Sequence, residues 1–306
     1  MPDNTVFDSV FKTMMQKTPR LIVPFINEAF GRSYALDDPI LRIDNEHEGP
    51  LGKNITDSML RLGDKIYHIE CQSTPETDMV VRMVEYDFAI ALEEAIRAGA
   101  PYEMNFPESC VLFLRHTSKT PDELQMKVNL PSGESFMYAS RVVKAQRFSS
   151  DDIFERGLLL LLPYYLMRYE GQLSEIDGDD VRTSELVAEC AELRAGLESE
   201  TLAKGDSLLY EQLVELIIKV TDHLLAKHET LRRKVRRTMG GEVLELMRER
   251  AERLEREAEE RGREQGVEQG REQGLEQGID ALASQLRARG IDENVIEEAM
   301  AAARKQ

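Results

Sequence analysis

The 306-residue chain has no tryptophan, few aromatic residues and a shortage of positive charge. Lys and Arg number 39 against 57 Asp and Glu, which gives a formal net charge of −18 at pH 7. Duplex DNA is bound mainly by Lys and Arg that neutralise phosphates, so this balance excludes a simple basic coat for nucleic acid. The net charge is still compatible with an enzyme that holds nucleic acid through metal ions and a local basic patch. Salt screens charges over about 8 Å, so the distribution of charge matters more than its sum.

Long apolar runs are also absent. A bilayer-spanning helix needs ~20 apolar residues, whereas the short run at 158–162 leads directly into Pro163. The N-terminal segment MPDNTVFDSVFK is acidic and amphipathic, unlike the basic segment and apolar run of a secretion signal. These absences predict a cytoplasmic protein without a membrane partner.

Two kinds of motif are missing as well. The cysteines are odd in number and lack metal-ligand spacing, which predicts reduced, mostly buried thiols at Cys71, Cys110 and Cys190. No phosphate-binding loop with GK[ST] is present, which argues against an ATP-dependent enzyme.

One stretch, residues 54–73 (NITDSMLRLGDKIYHIECQS), carries a pattern suited to catalysis. Residues 55–62 and 65–72 are predicted as strands, and Gly63-Asp64 as a two-residue hairpin turn. If Leu62 pairs with Lys65, Asp57 lies directly opposite Glu70, with Cβ atoms roughly 4.5–5.5 Å apart. Because side chains alternate along a strand, Gln72 shares that face, as does His68.

Two carboxylates in this position favour a bound cation. Like charges directly opposite on a sheet cost a few tenths to about 1 kcal/mol. Mg²⁺ takes oxygen ligands and often uses one or two carboxylates with substrate phosphate and water. The pattern therefore predicts Mg²⁺, with Mn²⁺ as a substitute, held by Asp57 and Glu70 for phosphodiester hydrolysis. The alternative is that both acids lie on a solvated face of an edge hairpin.

The spacing Asp57, twelve residues, Glu70-Cys71-Gln72 resembles the D…(D/E)xK signature of the PD-(D/E)XK nuclease superfamily, with Gln72 at the lysine position. The motifs FDSVFK, YHIECQS, RMVEYDFAIAL and LLPYYLMRYE and a glycine-punctuated charged tail are, in this order, similar to the Rpn family of recombination-promoting nucleases and transposase-like proteins. The resemblance covers most of the chain. It implies a Mg²⁺-dependent DNA endonuclease linked to recombination or mobile elements, with a small mixed β-sheet flanked by helices.

The resemblance also implies auxiliary residues around the two acids. It places FDSVFK beside the metal, so Asp8 becomes a candidate third ligand and Lys12 a catalytic or phosphate-contacting cation. An ordinary amphipathic helix with both side chains solvated is the alternative, and Glu28 is a weaker candidate acid. Gln72 lacks the charge of the motif lysine, but its amide can position a water. Lys12, Lys53 or, last in rank, Lys65 would then supply the charge.

Cations at two places are candidates for contacts with DNA. Arg82 and Tyr86 are one turn apart and match an R…Y element that the resemblance places beside the site. The alternative is a surface ion pair between Arg82 and Glu85, or Tyr86 as a core residue. Lys53 precedes the first strand of the hairpin. A basic cluster ends a predicted helix, where it suits either the helix dipole or the phosphate backbone; its members include Arg232, Arg233 and Arg236.

The remaining pattern predicts an α/β fold with three parts. Residues 1–148 would form the nuclease-like core, with helices over 5–30 and 78–98, a buried strand at 110–114 and a hairpin over 124–143. Residues 149–240 would form a helical extension with helices near 153–167, 181–199 and 207–239. The predicted buried stripe of the 78–98 helix contains Val81, Val84, Phe88, Ala91, Leu92 and Ala95.

Residues 241–306 form a charged tail with an internal repeat, in which Gly262, Gly266, Gly270, Gly274 and Gly278 recur every four residues. Each glycine costs a helix roughly 1 kcal/mol relative to alanine, but this spacing also aligns them on one helical stripe. A flexible linker and a self-associating helix both remain open, and the second predicts a homo-oligomer. A catalytically inactive relative that acts as a DNA- or protein-binding scaffold is the competing hypothesis for the whole chain.

Overall fold

The computed structural model describes residues 4–43, 46–49, 52–55 and 58–303. The chain divides into two compact units, Met1–Leu244 and Glu245–Gln306. The first unit is mixed α/β, as the sequence predicts, and contains the sheet and the helices around it.

A six-stranded mixed sheet forms the centre of the first unit, with strand order β1-β4-β5-β6-β8-β7. Its parallel pairs are β5 with β6 and β6 with β8, and its other neighbours are antiparallel. A separate two-stranded sheet pairs β2 with β3. The strands are β1 (Ile40–Arg42), β2 (Glu46–Gly49), β3 (Gly52–Ile55), β4 (Ser58–Leu62), β5 (Lys65–Gln72), β6 (Glu108–Phe113), β7 (Glu123–Asn129) and β8 (Ser135–Lys144).

The predicted hairpin register is confirmed. Leu62 pairs with Lys65 and Ser58 with Ile69 across β4 and β5. Gly63 in the turn has a φ of 62°, in the left-handed region that glycine adopts at little cost. Asp57 lies outside the described residues, so its pairing with Glu70 stays a prediction.

The predicted strand over 55–62 is described only in part, because residues 56–57 lie outside the described residues. Gly52–Ile55 (β3) belongs to the two-stranded sheet and Ser58–Leu62 (β4) to the six-stranded one. In the two-stranded sheet the backbone of Glu48 lies opposite that of Lys53. The hairpin predicted over 124–143 is confirmed as β7 and β8.

Helices cover both faces of the sheet. One face packs in the large apolar core on the first two helices and on the helices after the sheet, and the other packs on α3 through Met79, Met83, Val111, Phe113 and Tyr138. The helices of this unit are α1 (Asn4–Lys17), α2 (Ile22–Phe30), α3 (Met79–Ala98), α4 (Ser150–Glu155), α5 (Leu173–Asp177), α6 (Asp180–Glu200), α7 (Ser207–Leu224) and α8 (Glu229–Thr238).

Helix α3 has the predicted extent but a rotated buried face. Val81 and Phe88, predicted as buried, are exposed, whereas Asp87 is buried with Met83 between the helix and the sheet. Ala91 and Ala95 are buried as predicted, so the face is shifted and not reversed; an apolar periodicity could not include the acid Asp87. Asp87 is stable there because its carboxylate accepts hydrogen bonds from neighbouring side chains.

The helical segment after the sheet shares the large apolar core but has a different local geometry from the one predicted. Ser149 caps α4 by a reciprocal capping box with Asp152. A 3-10 helix over Leu159–Gln172 then replaces the predicted α-helix, with Pro163 inside it. The predicted helix over 207–239 is divided between α7 and α8.

The second unit is helical. Helix α9 spans Gly241–Ala288 and α10 spans Glu293–Ala303, with Gly290 at φ 77° between them. Ile279, Ala283 and Ile296 are buried in this hairpin. None of the described helices is long and apolar enough to cross a membrane.

Candidate functional site

The candidate site is built on the C-terminal half of β5. His68, Glu70 and Gln72 alternate with Ile69 and Cys71 along the strand, so the three polar side chains share one face. All three are buried, with exposed fractions of 0%, 2% and 8%. Burial of polar groups in a central strand requires partners for their hydrogen bonds.

His68 is bonded on both sides by carboxylates. Its Nδ1 lies 2.7 Å from Oδ1 of Asp87, and its Nε2 lies 3.0 Å from Oε1 of Glu70. Asp87 reaches the ring from α3, and its Oδ2 accepts a 2.5 Å hydrogen bond from the Tyr138 hydroxyl on β8. The four side chains form one buried series, Tyr138–Asp87–His68–Glu70.

The chemistry of this series calls for a charged imidazole. A neutral ring has one N–H donor, whereas donating a hydrogen bond to both carboxylates requires two. Burial alone would lower the pKa of His68, but the hydrogen bonds to Asp87 and then Glu70 outweigh it and raise the pKa to about 9. His68 is therefore an imidazolium at neutral pH, buried between two acids.

A second group of charges lies on the other side of Glu70. Arg82 of α3 places Nη2 3.9 Å from Oε2 of Glu70, and its guanidinium lies 5.9 Å from the centre of the Tyr86 ring. Arg82 also contacts Glu76 at 3.3 Å. Arg82 thus forms a surface ion pair with Glu76, where Glu85 was the expected partner, and the same guanidinium approaches Glu70.

Helix α1 brings Asp8 to the same place. Burial is the main cause that raises the pKa of Asp8, and the charge of Glu70 raises it further, while Lys12 and Arg82 act in the opposite direction. Lys12 is exposed on the next turn of α1. Asp8 thus interacts electrostatically with Lys12, Arg82 and Glu70.

The structure brings Asp8, Lys12, Glu70 and Arg82 within electrostatic reach of one another. Gln72 lies two residues after Glu70 on the same face of β5. Asp57 lies outside the described residues. Lys53 is on β3, but its side chain is likewise outside the described part of the chain. Two weaker candidates are engaged elsewhere, because Glu28 pairs with Arg156 at 2.8 Å and Lys65 lies 3.9 Å from Glu108.

The predicted basic cluster lies on α8, which packs through Leu231 and Val235 into the core. Arg232 pairs with Glu229, and Arg236 pairs with Asp222 at 2.9 Å. Arg233 is exposed on the same helix. Internal ion pairs therefore use part of the positive charge that the sequence suggested for DNA.

Three members of the site were not identified as functional from the sequence: His68, Asp87 and Tyr138. His68 had a visible signal, since it lies two residues before Glu70 on the same face. Asp87 had a weaker signal, as an acid four residues after the buried Met83 on one helix. Tyr138 had none, because only the sheet order brings β8 close to α3.

The residues at this place suit a hard divalent cation. Among the described residues, no group of three or more His, Cys, Asp and Glu side chains is arranged to hold a metal ion. The described donors that approach one another are Glu70 and Asp8, and the pKa of Asp8 is raised partly by the charge of Glu70. Carboxylate oxygens are the donors that Mg²⁺ and Mn²⁺ prefer, and Lys12 and Arg82 offset part of the negative charge at this place.

Comparison with known proteins gives no relative for this chain: no protein-family model, no curated protein and no solved structure matches it. The site therefore has to be interpreted from its own geometry.

Proposed function

We propose that this chain is a divalent-metal-dependent DNA endonuclease that hydrolyses phosphodiester bonds. The observation that carries the proposal is the convergence of Glu70, Asp8, Lys12 and Arg82 at one end of β5. The short motifs that resemble Rpn nucleases add recombination or mobile elements as the context.

Each residue has a distinct part in the proposed reaction. Asp57, Glu70 and Asp8 hold Mg²⁺ or Mn²⁺, which when bound lowers the pKa of a water and so supplies the nucleophile. Gln72 positions that water through its amide. Arg82 binds the scissile phosphate through its planar guanidinium and Lys12 binds it as a point charge, with Lys53 close to the hairpin as a further phosphate contact.

Binding of the flanking DNA would use the basic face of α8. Arg233 is exposed there, whereas Arg232 and Arg236 would exchange an ion pair within the chain for a phosphate. Neutralised phosphates give a salt-dependent affinity even in a chain of net charge −18. Removing Arg233 should lower the salt slope of binding by about one.

Cleavage of supercoiled plasmid by the full chain in Mg²⁺, Mn²⁺ or Ca²⁺ tests the proposal. Wild type should nick the plasmid in Mg²⁺ or Mn²⁺, and Asp57→Asn and Glu70→Gln should not. Asp64→Asn is the matched control, because Asp64 is an exposed acid in the turn of the same hairpin. Equal cleavage by Glu70→Gln and wild type would sink the assignment of the metal ligands.

A catalytically inactive scaffold is the second candidate. It is favoured by one observation, the neutral Gln72 in place of the motif lysine. A scaffold of this kind would bind DNA or protein without cleavage, and its tail would join copies of the chain into a homo-oligomer. Calorimetric titration separates the two, because a scaffold shows no Mn²⁺ binding that is lost in Glu70→Gln.

A further inference from the structure

The Tyr138–Asp87–His68–Glu70 series has a geometry that the proposed reaction has not used. It joins three elements of the fold, with His68 and Glu70 on β5, Asp87 on α3 and Tyr138 on β8. Its exposed fractions are 0% for His68, 1% for Asp87 and 8% for Tyr138. Apolar residues of the same volume would often make the protein equally stable. The buried charged series therefore calls for a role other than packing.

His68 is in the wrong place for proton transfer to a substrate. Both ring nitrogens are within hydrogen-bond distance of carboxylate oxygens, and the ring has no exposed surface. A general acid or base must reach the reacting group directly or through one water. His68 can act on the site only through Glu70.

The two oxygens of Glu70 are placed differently. Oε1 accepts from His68 at 3.0 Å, whereas Oε2 is directed toward Arg82 at 3.9 Å. A carboxylate held by one oxygen cannot turn freely about its last torsion, so the orientation of the other oxygen is set. The imidazole ring of His68 is itself held in place, because its Nδ1 bonds to Asp87 and Asp87 accepts a hydrogen bond from Tyr138.

We propose that His68 is a positioning residue: held by Asp87 and Tyr138, it binds Oε1 of Glu70 so that Glu70 meets a divalent cation through Oε2 alone. The claim that His68 orients Glu70 depends only on the described side chains, whereas the claim that Glu70 binds a cation rests on the proposed function. A carboxylate limited to one oxygen suits the octahedral geometry of Mg²⁺ and Mn²⁺, whereas Ca²⁺ takes more ligands and often a bidentate carboxylate. His68 would thus contribute to the choice of metal as well as to affinity.

A purely structural role makes a different prediction. A buried polar network that serves only the fold would change stability on mutation and leave the ratio of Mn²⁺ to Ca²⁺ affinity as it is. Outer partners of metal ligands, in contrast, typically change metal affinity or activity by about 10–100-fold when removed. The ratio of the two affinities is therefore the readout that distinguishes the roles.

The first experiment needs no metal and no activity. In the full chain labelled with ¹⁵N-histidine at pH 7, Nε2 of His68 should carry a proton, assigned by its loss in His68→Gln. Glu70→Gln should shift this Nε2–H signal most, and Asp87→Asn should shift the Nδ1 signal. A His68 ring without a proton on Nε2, or an Nε2–H signal that does not respond to Glu70→Gln, overturns the positioning role whatever the enzyme does.

The second experiment measures Mn²⁺ and Ca²⁺ affinity by calorimetry, with thermal unfolding of the same samples. His68→Gln should weaken Mn²⁺ binding about 10–100-fold, and the ratio of Mn²⁺ to Ca²⁺ affinity should fall. Tyr138→Phe should show the same direction with a smaller change, which keeps the test valid if His68→Gln fails to fold. Tyr67→Phe is the matched control, because it removes a buried hydroxyl bond to Tyr34 on the opposite face of the same strand.

The outcomes are separable. Unchanged Mn²⁺ and Ca²⁺ affinities in folded Tyr138→Phe and His68→Gln would refute the role in metal choice, even with a nuclease that cuts. No Mn²⁺ binding by wild type would refute the proposed function, and the ring signals would then decide alone whether His68 positions Glu70.

Discussion

The two faces of β5 are equally buried and chemically opposite. Tyr67, Ile69 and Cys71 pack into the large apolar core, whereas His68 and Glu70 on the other face carry charge. Burial therefore does not separate a core from a site in this protein. The two faces differ in their interactions: one is stabilised by apolar packing, and the polar side chains of the other are stabilised by hydrogen bonds between charged groups.

The largest expected difference between the faces is in stability. His68→Leu would leave Asp87 and Glu70 as buried acids without their shared cation, and breaking a buried pair costs about 3–5 kcal/mol. Ile69→Val on the apolar face should cost only about 0.5–1.5 kcal/mol. Urea unfolding of both variants checks this, and similar losses would show that the charged face behaves as ordinary core.

The pH dependence of stability should come from the same histidine. The pKa of His68 is about 9 in the folded chain and near 6.5 in the unfolded one. Because the pKa is higher in the folded chain, protonated His68 contributes stability that is fully present below about pH 6.5 and is lost as pH rises through about 9. The shift corresponds to a stabilisation on the order of 3 kcal/mol.

Urea midpoints at pH 7 and pH 10 measure this loss directly. His68→Gln is the control, because it removes the titrating ring and leaves the other groups in place. If wild type and His68→Gln lost stability equally between the two pH values, the imidazolium would not be the cause.

A smaller difference is expected for the tyrosines of the two faces. Tyr138→Phe removes a hydrogen bond to a charged carboxylate, worth about 1.5–3 kcal/mol, while Tyr67→Phe removes a neutral bond to Tyr34, worth about 0.5–1.5 kcal/mol. Chemical denaturation can rank the two variants. The reverse order would mean that Asp87 is held by groups other than Tyr138.

The smallest effect should come from the edge of the charged face. Arg61 on β4 bonds Glu94 of α3 at 2.7 Å, but both side chains are about a quarter to a third exposed. Partly solvated ion pairs contribute about 0–1 kcal/mol, so Arg61→Gln should change the free energy of unfolding by less than ~1 kcal/mol. If Arg61→Gln lost as much free energy of unfolding as His68→Leu, the Arg61–Glu94 pair would have to be counted as part of the buried network.

Much of the sheet could be predicted from local signals. The Gly63-Asp64 turn determined the pairing of Leu62 with Lys65, and alternation then assigned Glu70 and Gln72 to one face. The helix over 78–98 and the hairpin of β7 and β8 were also predicted, since their periodicities are long. The local geometry inside a helical segment could not be predicted in this way, as the 3-10 helix over Leu159–Gln172 and the interruption between α7 and α8 show.

The sequence by itself determined the hairpin register, the type of most elements and the candidate acids, because turn chemistry and side-chain period are local properties. Only the tertiary structure decided which side of α3 is buried and that Asp87 and Tyr138 close a series on His68. The physical reason is that a buried charge is tolerated only beside a specific partner, and the partners here come from strands and a helix that are distant in sequence.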